Sequence, residues 1–402
     1  MQTLFTQLSR YLAQTETFWR FEPFHVSLAS SSPWRVQNSR LDQWLNGLSL
    51  LQITQFKQHP ELLVKSVAPF IDDLSVMHQL ISESLTDHLI TKEDSKHSRL
   101  NLYQGVPGRK LEQIKALGQY VVHKNQATSW LEWCAGKGYL GRFLANNSLY
   151  PVISFEYQNS LCIAGQADAQ RLELAMNFVQ GDAFDVRHRD LFKPDQHVVA
   201  LHACGDLHVQ MVKHVVDMSV KNVSFAPCCY HLTQTSHYQP LSILGKQMDL
   251  LLSQSELRIP VQETVTGGER VKRQRFLEMT YRLGWDELLR NELGFTNYQP
   301  TPSIKKSQLS EGFQAFCYWA SEKKRIDLPS IDFTKYEQQG VERFWRMEKL
   351  SLVQQVFRRL LEMWLILDKA IFLQQHGYQV SIGEFCSRQV TPRNIVVYAQ
   401  RT

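Results

Sequence analysis

The 402-residue chain has no apolar run long enough to cross a bilayer. Its best stretch, Trp364 to Leu373, is interrupted by Asp368 and Lys369, so no membrane partner is expected. The N-terminus has no charged region followed by an apolar segment, which argues against a secretory signal. Neither sign of charge dominates. Lys and Arg number 44 against 39 Asp and Glu, and the net charge of +5 suits an RNA partner without demanding one. Seven cysteines, an odd number without regular spacing, exclude a disulfide framework and point to a reducing, cytoplasmic setting. No Cys-x-x-Cys or His-x-x-x-His pair is present, so spacing argues against a metal. The absence of Cys-x-x-x-Cys-x-x-Cys removes the radical enzymes.

What remains is an ordinary globular composition, 43% hydrophobic and 21% charged, with length for two or three domains. Residues 1–99 read as a helical accessory domain. Leu4, Leu8, Tyr11 and Leu12 recur at helical spacing, and 41–56 and 62–85 are further helices. Residues 100–235 alternate strands and helices, the pattern of a doubly wound parallel α/β sheet. The helix Arg109 to His123, with Ile114, Leu117, Tyr120 and Val121 as its apolar stripe, leads into strands at about 129–133, 152–156, 173–180, 197–207 and 223–232. Residues 236–340 look like a basic, mainly helical insertion. Residues 341–402 return to the sheet with one long helix, Val341 to Gln375, stopped at Gly377, and two closing strands that begin near Tyr378 and Thr391.

The stretch Ser129 to Arg142 organises the rest. An apolar run ends in Glu132, and a small loop with Cys134, Gly136, Gly138 and Gly141 precedes a helix. Glycines there let the backbone approach a nucleotide-like ligand without an intervening Cβ. A dinucleotide site asks for Gly-x-Gly-x-x-Gly and an acid about 20 residues on; Gly136, Gly138, Gly141 and Glu156 supply both. Glu132 lies outside that fingerprint, and its carboxylate suits a cationic amino-acid group such as that of S-adenosylmethionine. Asp182, followed by Ala183, ends the third apolar run where an adenine amino group would be met. Taken in order, Glu132, the glycines, Glu156 and Asp182 resemble motifs I to III of the class I S-adenosylmethionine-dependent methyltransferases.

Ligands of such sheets sit outside the carboxyl ends of the strands. Strand four ends in His202, Cys204, Gly205 and Asp206, and strand five in Pro227, Cys228, Cys229, Tyr230 and His231. Several readings stay open. These residues could shape a pocket in which Tyr230 stacks on a substrate base and Asp206 or His231 accepts a proton. Cys228 or Cys204 could be a nucleophile. The cysteines could bind a metal, which their spacing disfavours, or they could be small buried residues. Further on, Gly267 and Gly268 precede Arg270, Lys272, Arg273 and Arg275, a candidate phosphate-contacting cluster that could equally be a solvated helix start.

Four motifs carry a family likeness: Cys134-Ala-Gly-Lys-Gly, Leu201-His-Ala-Cys-Gly-Asp-Leu, Cys228-Cys-Tyr and Thr391-Pro-Arg-Asn. Together they resemble the methyltransferase-like protein 25 group, which also contains the glutathione-transferase C-terminal-domain-containing protein. A more distant likeness is to the enzymes that 2′-O-methylate the acceptor stem of tRNA. The resemblance covers about residues 100–235 and 340–400. It implies cofactor contacts at Glu132, Gly136, Gly138, Glu156 and Asp182, with His202 near the reacting methyl. His202-Ala-Cys-Gly replaces the Asn/Asp-Pro-Pro-Tyr of nucleotide amino-methyltransferases, which disfavours base N-methylation by their mechanism. The expectation is a methyltransferase acting on RNA, with a ribosomal or translation protein, or a role in assembly without turnover, as the alternatives.

Overall fold

The computed structural model describes residues 1–85, 102–262 and 268–402. The expected boundary at 99 and Gly267 lie outside the described residues. The chain forms two compact units, one made of residues 1–14, 75–262 and 358–402, the other of residues 15–74 and 263–357. These bounds differ from those expected at 99, 235 and 340. The presumed insertion is divided between the units, and residues 15–74 join 263–357.

The first unit is built on a seven-stranded sheet in the order β3-β2-β1-β4-β5-β7-β6. The strands are β1 (Ser129–Trp133), β2 (Val152–Glu156), β3 (Met176–Gln180), β4 (Gln196–Ala200), β5 (Asn222–Phe225), β6 (Tyr378–Glu384) and β7 (Ile395–Arg401). Pairings among β1 to β5 are parallel, and β7 runs antiparallel to both β5 and β6. The strand order reverses beside β1, so the connections that follow the paired strands β1 and β4 leave to opposite sides and open a crevice at their carboxyl ends. The expected α/β architecture is present.

Alternation along β1 divides its side chains between two cores. Trp130 packs with Ile114, Leu117 and Tyr120 of the helix Gly108–His123. Trp133 stacks on Phe155 at 4.4 Å on the opposite face. Both tryptophans are fully buried, and their weight fixes the register of the strand that carries the loop. The expected strands three, four and five are longer than those observed. Past β4 and β5 only an isolated parallel bridge, Cys204 to Cys228, continues the ladder.

The expected single helix Val341 to Gln375 is two helices, Phe333–Gln355 and Arg358–Gln375, separated by Val356 and Phe357. The apolar pattern runs through the break because Leu352, Val353, Val356, Phe357, Leu360 and Leu361 are all buried. The second helix packs on Gln2–Gln14, where Phe5 stacks on Trp364 at 5.3 Å and the Trp364 indole donates to Ser9. In the other unit, the helices Glu269–Leu293 and Phe333–Gln355 pair through Arg343, whose guanidinium donates to Asp286 at 2.6 Å. Among the described residues no helix is long and apolar enough to cross a membrane.

Candidate active site

The loop between β1 and the helix Tyr139–Ser148 is held from below and open above. The Ala135 N–H donates to the Phe155 carbonyl, and the Gly138 N–H to Ala135, both at 2.9 Å. Cys134, Gly136 and Gly138 all have left-handed backbones, with φ of 58°, 60° and 70°. A Cβ on Gly138 would lie 2.4 Å from the Phe178 ring, whereas one on Gly136 would meet nothing within 4 Å. Gly138 is therefore a packing glycine, and Gly136 is the one bordering free space.

Glu156 closes this turn. One carboxylate oxygen accepts the Gly136 N–H at 2.9 Å and the other accepts the Gln158 N–H at 3.0 Å. An ionised carboxylate offers about four lone-pair sites, so half its capacity is left for ligand hydroxyls. Asp182 lies exposed just past β3 in a tight turn, accepting the Phe184 N–H. Its neighbour Ala183 is buried. Tyr157 and Phe184 are large apolar side chains left 67% and 42% exposed at these same two strand ends. Sequence reasoning missed them, because exposure of an aromatic leaves no periodic trace.

Glu132 departs from its expected role. It is buried, accepts the Ser154 hydroxyl at 2.8 Å, and sits where a Cβ on Gly141 would be 2.5 Å from its Oε2. Burial pushes its pKa up to about 7, against the opposing hydrogen bonds from Ser154 and Gly141 and the charges of Arg142 and Lys110. It supports the loop from inside instead of presenting a carboxylate to the crevice. Cys134 is likewise pushed up to about 12 by burial and by the negative groups around it, so its thiol stays protonated.

The ends of β4 and β5 meet as expected. The Gly205 N–H donates to the Cys228 carbonyl and the Asp206 N–H to Leu232. Gly205, at φ 55°, is obligatory there, because a Cβ would lie 1.9 Å from the Leu232 oxygen. Asp206 opens the helix Asp206–Asp217, and its Oδ2 accepts the Gln234 N–H at 2.8 Å, which ties the following loop down. Tyr230 is a correction. It is 3% exposed and its hydroxyl donates to the Pro227 carbonyl, so no ring face is open to stack on a base. His231 is half-buried, and its Nδ1 has no hydrogen-bond partner. Burial, then the Arg258 charge, holds its pKa below the usual value, so the ring is neutral and can accept a proton.

His202 stands at the rim with much of its surface exposed. The surrounding protein, then the charges of Lys110 and Arg393, brings its pKa down to about 4. Arg393 also bears on Cys229 and His231, and its Nε has no partner. Cys204, Cys228 and Cys229 converge, with the first two sulfurs 3.4 Å apart. Thiol hydrogen bonds to Cys204 and Cys229 push Cys228 up, and the bond from Cys228 brings Cys229 down to about 5. Cys228, buried and protonated, is poorly suited to be a nucleophile.

The basic cluster lies in the other unit, at the start of Glu269–Leu293. Arg275 donates to the buried Glu348 at 2.7 Å, and Lys272 pairs with Glu269. Arg275 is thereby a structural partner, which corrects its assignment to phosphates, whereas the Lys272–Glu269 pair lies on the surface. Arg270 and Arg273 are exposed.

A family model described as a methyltransferase domain matches residues 109–236. No curated protein matches. Among solved structures, the chain is similar to a tRNA (uracil-54, C5)-methyltransferase from Pyrococcus abyssi in complex with S-adenosyl-L-homocysteine. That match has 18% identity, 29% of this chain and 28% of that one covered, and a TM-score of 0.25. It is similar to TrmK from M. capricolum, with 8% identity, 28% and 50% covered and a TM-score of 0.23. An O-methyltransferase family protein from Burkholderia thailandensis matches with 16% identity, 29% and 38% covered and a TM-score of 0.25. The chain thus spans half or less of the length of each of these. Residues 109–236 are a methyltransferase domain on a class I sheet, and S-adenosylmethionine is the cofactor of that domain.

Proposed function

We propose that the whole protein transfers a methyl group from S-adenosylmethionine to RNA, as a relative of the methyltransferase-like protein 25 group. The observation that carries this reading is the meeting of all four family motifs at the carboxyl ends of β1, β4 and β5. Cys134 and Cys204 lie within electrostatic reach of each other, and Arg393, from Thr391-Pro-Arg-Asn, bears on both His202 and Cys229. Gly136, Glu156 and Asp182 would hold the adenosine end of the cofactor. Bound there, it supplies an activated methyl group for in-line displacement, and the enzyme's main task is positioning.

The RNA assignment rests on charge. Lys110 and Arg393 flank His202 at the mouth of the crevice, and a doubly cationic mouth suits a phosphate-bearing acceptor. A hydroxyl acceptor must lose a proton. Asp206, held in place by the Gln234 N–H, and the neutral His231 are the two acceptors for that proton.

The test incubates the purified protein with radiolabelled S-adenosylmethionine and lysate from a strain lacking the gene, then counts RNA and protein separately. Label in RNA that disappears with Asp182→Ala is the expected result. Label in protein would overturn the RNA assignment in favour of a ribosomal or translation protein. Label in neither fraction, with cofactor binding intact, would overturn turnover on macromolecules and favour an assembly role.

A further inference from the structure

We infer that Cys204, Cys228 and Cys229 form a site for one thiophilic metal ion of the zinc class, bound by three thiolates with its fourth position open to the crevice. Their sulfur atoms all lie within 4.8 Å of one another. Two thiolates on one tetrahedral zinc, each about 2.3 Å from it, stand about 3.8 Å apart. Small side-chain rotations therefore suffice to close the site.

The backbone is arranged for this convergence. Cys204 and Cys228 face each other across a parallel bridge that extends past the ends of β4 and β5. Successive residues of an extended strand point to opposite faces, so Cys228 and Cys229 would ordinarily diverge. Instead Cys229 has φ 48°, a left-handed conformation that a residue with a Cβ rarely adopts, and this turns its thiol to the same side as that of Cys228. A strained residue that brings a third thiol to a pair has an evident use when all three share a ligand. A disulfide would need only two.

Cys228 is buried, while Cys204 and Cys229 are partly exposed. The ion would be gripped from the sheet side and reachable from the crevice side. Three protein ligands and one open position is the arrangement of reactive zinc sites, whereas structural sites use four. Binding takes all three sulfurs as thiolates, releases to solvent the thiol protons they still carry, and changes no oxidation state. The site is independent of the assignment of RNA as acceptor and survives that assignment's failure.

The test uses the full chain, purified under reductant, stripped with a chelator, and titrated with Zn²⁺ or with Co²⁺ as a spectroscopic probe. The expected result is one equivalent per chain and a cobalt–thiolate charge-transfer band. Cys204→Ser, Cys228→Ser and Cys229→Ser should each lose both, with folding checked by circular dichroism. Cys317→Ser, a buried cysteine of the other unit, should keep both, as should His231→Ala. Absence of stoichiometric binding by the folded wild-type chain would overturn the proposal, and the wild-type titration decides this even if a serine variant fails to fold. A Cys204–Cys228 disulfide persisting under reductant would also overturn it. Loss of metal in His231→Ala would overturn the open fourth position.

Discussion

At the scale of single residues, two side chains carry expectations that a pH scale can read. Glu132 has a folded-state pKa near 7 against 4.5 for the free group. A raised acid pKa means that ionisation opposes folding. The penalty is absent below pH 4.5, grows between 4.5 and 7, and is complete above 7, on the order of 3 kcal/mol. Glu132→Gln should therefore gain stability relative to wild type as pH rises from 4.5 to 8, measured by urea unfolding without ligand. A constant difference across that range would show that the carboxyl is not buried as described. His231 gives the second. Its pKa is lowered, so kcat/KM should climb to its plateau along an acid limb centred below pH 6.5 and stay flat above it. His231→Ala should remove that limb; its survival would assign it to another group. Glu156 and Gly136 were legible in the sequence because their spacing encodes a single turn. The burial of Glu132 was not, because it depends on Ser154, which reaches it only when β2 is laid beside β1, and the burial of Tyr230 leaves no periodic trace.

At the scale of elements, Gly205 holds the junction of β4 with the loop after β5. Gly205→Ala combines a left-handed backbone with a clash against main chain, which no side-chain rotation relieves. The expected loss of unfolding free energy exceeds about 2 kcal/mol. Gly136→Ala should lose only about 1 kcal/mol, since its Cβ enters open space, while weakening binding of S-adenosylhomocysteine in calorimetry. Equal stability losses at the two positions would contradict the distinction between them. Strand and helix identities in the sheet unit were legible from the alternation of apolar runs. The break at Val356 and Phe357 was not, because both residues are buried and the apolar pattern continues across them. The three-cysteine convergence was hidden for a related reason. Linear spacing records ligands on one hairpin or helix, and these lie on neighbouring parallel strands.

At the scale of the whole molecule, each unit is assembled from segments far apart in sequence, which composition does not signal. Glu348 shows how the second unit is held together. Buried, it pairs with both Lys57 and Arg275, from segments more than two hundred positions apart. Glu348→Ala would leave two cations without their shared anion, and urea unfolding should register a loss of about 3–5 kcal/mol. A loss under 1 kcal/mol would mean that water already serves these charges. In the sheet, Asn222 of β5 pairs with Gln400 of β7, 178 positions later. At typical synthesis rates of about 5–20 residues per second, roughly 10–35 s separate the emergence of the two strands. Throughout that interval β5 is an unprotected edge on the nascent chain, with Cys228 and Cys229 just beyond it. For that time the protein depends on whatever shields an open strand and a pair of adjacent thiols from other chains.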